Sequence, residues 1–241
     1  VICYLLFVPF CYSAHRSAYT PEQLSLVREI AEIAFSPDNK ELAFITDITG
    51  ALEVWTVPVS GGWPNQLSNL GEQASGIEYS PDGKKIIFAS DYGGNERPDL
   101  FLVDAAGGIV QNLTSSTEAE RGPRFSPDGR FVAYVSDSGR EFLFQLAIMD
   151  MATRITRVLT SEPVNVHDPV WSSEAGMIAV TRSGDDQQGE LLIVDVAEGA
   201  RRVIDPPIKD GIIFAQEFSR DDKTLLCTAR NARGFMQPYL L

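Results

Sequence analysis

The chain has 241 residues, of which 44% are hydrophobic, 10% aromatic and 22% charged, and 33 acidic residues against 20 basic ones give a net charge of -13. This composition is typical of a globular protein, and the length allows a sizeable core that needs no disulfide framework. The acidic balance makes nucleic acid and anionic membranes poor partners, because both bind cationic surfaces.

An apolar run opens the chain. Residues 1–10 read VICYLLFVPF, which is too short to span a bilayer, and the small residues Ser13 and Ala14 follow. This pattern predicts the remnant of a secretory signal peptide over residues 1–14, with a buried N-terminal strand as the alternative. The signal predicts a periplasmic or extracellular protein with no membrane span once it is removed. Cys227 would then be the only thiol, in an apolar run typical of a core residue.

A short helix is predicted next, over residues 19–30. Thr20 can cap its first turn and Glu22 lies within that turn. After residue 35 no stretch has a sustained apolar period of 3.6 residues, which argues against helical repeats.

A repeat organises the remaining chain, and five copies of it are recognisable. Each copy has an aromatic residue and then a serine, followed in the clearest copies by Pro-Asp-Gly. Proline, aspartate and glycine at these places are typical of a tight turn between two strands. Successive serines are 44, 46, 46 and 47 residues apart. They are Ser36, Ser80, Ser126, Ser172 and Ser219.

Each repeat also predicts four strands. In the second copy the strands after the turn read KKIIFAS, DLFLVDA and IVQNLT, two apolar segments and then a polar one. Four short antiparallel strands with an apolar middle pair predict an all-β fold, a β-propeller. A β-sandwich and an open β-solenoid are the alternatives.

The repeat length predicts how much of a ring is present. A pitch of about 46 residues gives about 4.6 blades over residues 31–241, with the fifth blade lacking its outer strand. The first residue is Val1 rather than Met. Together these features predict an internal fragment of a longer protein with a truncated ring.

Two families resemble these segments. The SPDG repeats, with DYGGNERPDLFLVDAAGGIVQNLT between two of them, resemble TolB-type propellers of bacterial envelopes. The segment YTPEQLSLVREIAEIAFSPDNKELAFITD, followed by ALEVWTVPVSGGWPNQLS, is similar to the N-terminal propeller of exported serine peptidases of the prolyl oligopeptidase family. That family includes dipeptidyl peptidases and acylaminoacyl peptidases. The similarity covers residues 19–241.

The peptidase resemblance implies an α/β-hydrolase domain with a Ser-Asp-His triad elsewhere in the same polypeptide. This sequence contains no GxSxG nucleophile motif, and its only histidines are His15 and His167. The resemblance therefore implies a scaffold that gates access and binds short peptides, with no catalytic residue, cofactor or metal in this chain. The alternative is a non-enzymatic, TolB-like periplasmic propeller that binds other proteins.

Candidate binding residues lie in loops that emerge at one end of the predicted propeller. Dipeptidyl members of the peptidase family hold the substrate amino terminus with propeller glutamates, which implies Glu118 and Glu120 as candidates here. Arginines would pair with a carboxylate. The simpler interpretation is that these loops are charged because they face solvent and bind nothing. The charged loop residues are Glu96, Arg97, Glu118, Glu120, Arg121, Arg140, Asp185, Asp186 and Arg233.

His167 is a further candidate. It precedes Asp168 and Pro169 where the fourth blade begins, on the funnel side of the predicted ring. A lone histidine beside an aspartate is more typical of a hydrogen-bonding loop residue than of a catalytic base or a ligand.

Overall fold

A computed structural model describes residues 28–184, 189–204, 211–231 and 233–241 of the chain. These ranges contain 19 β-strands. No helix in them has the length and apolar character that crossing a membrane requires.

The strands form five antiparallel sheets in chain order, one for each sequence repeat. The first blade contains β1 (Ile30–Phe35), β2 (Glu41–Thr46), β3 (Glu53–Pro58) and β4 (Asn65–Gln66). The second contains β5 (Ser75–Tyr79), β6 (Lys85–Ser90), β7 (Asp99–Asp104) and β8 (Gln111–Asn112). The third contains β9 (Glu120–Phe125), β10 (Phe131–Ser136), β11 (Gln145–Asp150) and β12 (Thr156–Val158). The fourth contains β13 (Asn165–Trp171), β14 (Met177–Ser183), β15 (Gly189–Asp195) and β16 (Arg201–Ile204). The fifth has three strands, β17 (Ile212–Phe218), β18 (Leu225–Arg230) and β19 (Met236–Leu240).

The predicted propeller with an incomplete fifth blade is therefore confirmed. The predicted signal segment, residues 1–14, lies outside the described residues. So does most of the helix predicted over residues 19–30. At the described end of that helix the prediction is wrong, because Ile30 already begins β1 and pairs with Thr46.

The repeated serine organises each tight turn between the first two strands. In the first blade the Ser36 hydroxyl donates to Asp38 at 2.8 Å and accepts the N–H of Glu41 at 2.9 Å. The hydrogen bond from Ser36 is the main reason that the pKa of Asp38 is lowered to about 2. The same serine–aspartate hydrogen bond recurs in three other blades, between Ser80 and Asp82, Ser126 and Asp128, and Ser219 and Asp221.

A second repeated contact, which sequence reasoning missed, closes the other end of each of the first three blades. The first residue of the third strand is a buried Glu, Asp or Gln, and its side chain bonds to a hydroxyl fifteen residues later. The same side chain accepts an N–H from the loop that leads to the next blade. We call this contact the clasp. It consists of Glu53 with Ser68, Asp99 with Thr114, and Gln145 with Thr160.

The core lies between blades. In the second, third and fourth blades both faces of the two middle strands are covered, which explains their continuous apolar sequences. Between the first two blades the rings of Phe88 and Phe101 stack with centroids 5.7 Å apart. Between the second and third blades Ile87 and Leu100 pack against Met149, and all three are almost completely buried. Each such aliphatic side chain contributes about 1.5–3 kcal/mol through burial.

The inner strands of successive blades are joined by polar contacts one repeat apart. The Glu32 carboxylate accepts the N–H of Gly76 at 2.9 Å, and Glu78 accepts the N–H of Phe125. Gly76 has a φ of +67°, and a Cβ at this position would lie 3.0 Å from Pro123 Cδ. Only glycine adopts this backbone without strain, so Gly76 allows the second and third blades to approach closely.

Candidate functional site

The loop face is the end of the propeller formed by two sets of connections: those between second and third strands, and those between consecutive blades. Most of the charged candidates lie there. Of that group, Asp185 and Asp186 fall outside the described residues. Glu96 and Arg233 are exposed on their loops.

Arg97 points into the protein rather than out to a ligand. Its Nη2 atom donates to both oxygens of Asp137 at 2.8 Å, and its Nε donates to the Thr117 carbonyl at 2.5 Å. The Asp137 side chain is fully buried and also accepts the N–H groups of Ala119 at 2.8 Å and Phe142 at 3.1 Å. Burial raises the pKa of Asp137, but these N–H groups and Arg97 outweigh it and the pKa is lowered. Arg97 therefore ties the second blade to the third.

Glu118 and Glu120 line the same cavity, but each carboxylate accepts a hydrogen bond from a neighbouring residue of its own loop. Glu118 Oε2 accepts the N–H of Thr117 at 3.1 Å at the surface. Glu120 is 4% exposed, and its Oε1 accepts the Ser116 hydroxyl at 2.7 Å. Its Oε2 has no hydrogen-bond partner among the described residues. The pKa of Glu120 is raised to about 7, chiefly by burial; the Asp99 carboxylate also raises it, whereas the hydroxyls of Ser116 and Thr114 lower it.

Glu120 lines a cavity of about 310 Å³ that we call the inter-blade crevice, between the second and third blades. Polar side chains surround Glu120: Ser116, Tyr134 and Ser136. The remaining lining is mixed: Leu113, Ala147, Met149 and Val158 are apolar, whereas Thr114, Glu118, Ser138 and Thr156 are polar. Arg154, from the turn between β11 and β12, completes the lining.

A second group of side chains lies where the inner strands meet the loop face, and we call it the inner rim. Arg121 is exposed, and its guanidinium carbon lies 4.7 Å from the centroid of the Phe144 ring. The Arg121 guanidinium forms no hydrogen bond or salt bridge within the described part of the chain. Phe144 is held against the fourth blade, because its N–H donates to Asn165 Oδ1 at 2.8 Å and its carbonyl accepts from Val166 at 3.0 Å.

His167 continues the inner rim in the fourth blade. Its Nδ1 lies 2.9 Å from Asp168 Oδ2, and its Nε2 lies 2.8 Å from Ser183 Oγ. The hydrogen bond with His167 is the main reason that the pKa of Asp168 is lowered. The Phe214 ring of the fifth blade lies 6.3 Å from the imidazole, centroid to centroid. His167 is thus a hydrogen-bonding residue, as its sequence context indicates.

Arg140 lies on an exposed turn, apart from the inter-blade crevice and the inner rim. Its backbone N–H donates to the Asp137 carbonyl at 3.2 Å. Sequence reasoning missed Asp137, Ser183 and Phe144. Each meets its partner through strand register or blade packing, and no sequence motif marks them.

Four four-stranded blades and a three-stranded fifth, with a serine–aspartate turn in four of the five, define a β-propeller. The profile of PD40, the TolB beta propeller domain family, matches residues 29–211, and the chain belongs to this family. The TolB resemblance seen in the sequence is thereby confirmed.

Solved structures with the same fold have varied functions. TolB from Acinetobacter baumannii is 20% identical with a TM-score of 0.60, and the match covers 88% of this chain and 54% of that one. An oligogalacturonate lyase in complex with manganese is 14% identical with a TM-score of 0.67, covering 86% and 60%. A prolyl endopeptidase is 11% identical with a TM-score of 0.65, covering 89% and 34%. This chain thus spans about half the length of the Acinetobacter protein. Function on this fold depends on the site.

Proposed function

We propose that this propeller is the substrate-gating and peptide-binding part of an exported serine peptidase of the prolyl oligopeptidase family. The inner rim carries the proposal. It presents the Arg121 guanidinium, which stacks on Phe144 and forms no salt bridge among the described residues, and, in the next two blades, the imidazole of His167 and the ring of Phe214. A guanidinium held in this way pairs with a carboxylate, and aromatic rings receive apolar side chains. This combination suits a short peptide with a free carboxyl group.

Two further observations support the peptidase context. The segment before and within the first blade resembles peptidase propellers, and a prolyl endopeptidase shares the fold. The apolar opening of the chain supports export. The catalytic serine, histidine and aspartate would lie in a hydrolase domain of the same polypeptide.

Peptide binding at the inner rim is tested with labelled tetrapeptides and fluorescence anisotropy. We expect Arg121→Met to weaken binding of peptides with a free carboxylate about tenfold or more, and to leave amidated peptides unaffected. Arg140→Met, on the same face, is the matched control. Equal effects of both variants would show that the rim is not the binding site.

The peptidase context is tested separately on the full-length natural protein. We expect a fluorophosphonate probe to label a serine in a GxSxG motif outside residues 1–241. A full-length protein without such a serine would refute the peptidase role and leave peptide binding at the rim untouched.

The second candidate function is protein binding by a non-enzymatic periplasmic propeller. Membership of the TolB propeller family favours it. It predicts that the full-length protein has no reactive serine and captures a folded periplasmic protein through the loop face, with capture lost in Arg121→Met.

A further inference from the structure

The Glu120 carboxylate is buried without a full set of partners. It lies at the start of β9 with 4% of the residue exposed. Its Oε1 accepts the Ser116 hydroxyl at 2.7 Å, whereas its Oε2 has no hydrogen-bond partner among the described residues. Buried polar atoms in folded proteins nearly always have partners, and an exception marks a place for an absent ion, water or ligand. Because Glu120 lines the inter-blade crevice, a molecule bound there can supply the missing donor.

The electrostatic surroundings of Glu120 favour a positively charged donor. The charged side chains that act most strongly on it are Asp99 and Glu118, and both are negative. Asp99 already accepts three hydrogen bonds, so the free acceptor is Glu120 Oε2. A carboxylate with like charges nearby is stabilised by a cation that also donates hydrogen bonds. A metal ion is the weaker candidate, because the described residues contain no group of three Asp, Glu, His or Cys side chains arranged to hold one.

The strand register of the third blade shows which side chains a ligand on Glu120 reaches. Glu120 pairs with Ser136 of β10. Two residues before Ser136, Tyr134 pairs with Ala147 of β11, and Ala147 pairs with Val158 of β12. Residues rise about 3.3 Å along a strand, so this second row of side chains lies about 7 Å from Glu120. A ligand built on a single six-membered ring therefore spans the first two rows and does not need the far end of the crevice.

Hydroxyl groups line this part of the crevice together with a few apolar side chains. Ser136 Oγ accepts the Ser138 N–H at 3.2 Å and keeps a proton to donate, and Ser138 is exposed where it lines the crevice. Hydroxyl groups both donate and accept, so they suit hydroxyl groups on a ligand. Ala147 and Val158 offer only apolar contact. A ring with hydroxyl groups on its edge and C–H bonds on its faces matches both kinds of lining.

We propose that the inter-blade crevice binds a hydroxylated primary amine of monosaccharide size, such as an amino sugar, with its ammonium group on Glu120. The ligand hydroxyls bond to Ser136 and Ser138, and the ring lies against Ala147 and Val158. The crevice volume of about 310 Å³ is at the lower end of the usual range for small-molecule pockets, which suits a single ring. This site is separate from the inner rim and does not depend on the proposed peptidase role.

Binding should weaken as the pH falls below 7. The pKa of Glu120 is raised to about 7, chiefly by burial, so acidification protonates the carboxyl and removes its charge. The ligand ammonium stays charged in this range, because amines have pKa values above 7. The other titratable groups that face Glu120 are Asp99 from β7, Glu118 from the preceding loop and Tyr134 from β10, whose pKa is raised to about 12. Glu120→Gln should remove the loss of affinity between pH 7 and pH 6, which assigns the titration to Glu120.

Isothermal calorimetry on the whole chain tests the proposal with three probes of similar size: glucosamine, glucose and cyclohexylamine. Glucosamine has an ammonium group and hydroxyls, glucose has only the hydroxyls, and cyclohexylamine has only the ammonium group. We expect glucosamine to bind about tenfold or more tightly than either of the others. Glu120→Gln should weaken glucosamine binding by about tenfold to a hundredfold. Glu198→Gln, which removes one exposed carboxylate on a turn of the fourth blade, is the control and should change nothing.

Two further variants keep the test decisive if Glu120→Gln fails to fold. Ser136→Ala removes a hydroxyl beside Glu120 and should weaken the binding of glucosamine but not of cyclohexylamine. Val158→Trp fills the second row from the outer strand and should abolish the binding of both amines. The proposal is overturned if glucosamine does not bind the wild-type chain, or if it binds no more tightly than glucose or cyclohexylamine. Undiminished glucosamine binding in a folded Glu120→Gln or Val158→Trp variant would also overturn it.

Discussion

Replacing Asp137 by Asn tests whether the contact between the second and third blades is a true buried ion pair. The Asp137 side chain is 0% exposed and bonds Arg97 twice at 2.8 Å. Asparagine keeps the shape and one acceptor oxygen but removes the charge. The Arg97 guanidinium, 25% exposed, would then be left without its closest counter-charge.

The expected loss follows from that geometry. Removing one partner of a buried ion pair costs about 3–5 kcal/mol. Because the Arg97 side chain retains some contact with water, we expect the lower end, about 3 kcal/mol. Glu141, the other carboxylate near Arg97, lies 3.6 Å away and is 69% exposed. Glu141→Gln should therefore cost less than about 1 kcal/mol and serves as the control.

The effect of Asp137→Asn should also depend on pH. The pKa of Asp137 is lowered in the folded state, so its stabilisation is present above the unfolded value near 3.8 and is lost as the pH falls through the folded value. Urea unfolding at pH 7 and at pH 3 measures both effects. A loss below about 1 kcal/mol at pH 7, or an equal loss at both pH values, would refute the reasoning.

Four further predictions concern the blades and the chain as a whole. Phe88→Ala should cost about 3–5 kcal/mol, whereas Phe35→Ala, at a residue 55% exposed, should cost under about 1, and equal losses in urea unfolding would contradict the assigned core. Gly76→Ala should lower stability by about 1–2 kcal/mol because of its positive φ and the close Pro123, and a neutral effect on Tm would contradict this. Amide hydrogens of the first and fifth blades should exchange faster than those of the inner three, and uniform protection would be inconsistent with exposed end faces. The 241-residue chain should not cleave chromogenic dipeptide or acyl-amino-acid substrates in a serine-inhibitor-sensitive way, and such cleavage would show that a nucleophile was overlooked.

Much of the fold was predictable, because its signals are local and repeated. Ser36, Asp38 and their equivalents lie within five residues of the groups they bond, so the turn is visible in the sequence. The apolar third strands are visible for the same reason. The clasp was missed because Asp99 and Thr114 are fifteen residues apart and no local pattern links them.

The sequence by itself determined the blade, its turns and the number of repeats, since each depends on contacts within one repeat. Only the tertiary structure decided what the charged loop residues do. Arg97 has a structural role because Asp137, forty residues away in the sequence, packs beside it. Glu120 is buried because the second blade covers the third. The sequence specifies which residues are charged. Which charged side chains pair, and which of them lose contact with water, depends on which blade faces lie against each other.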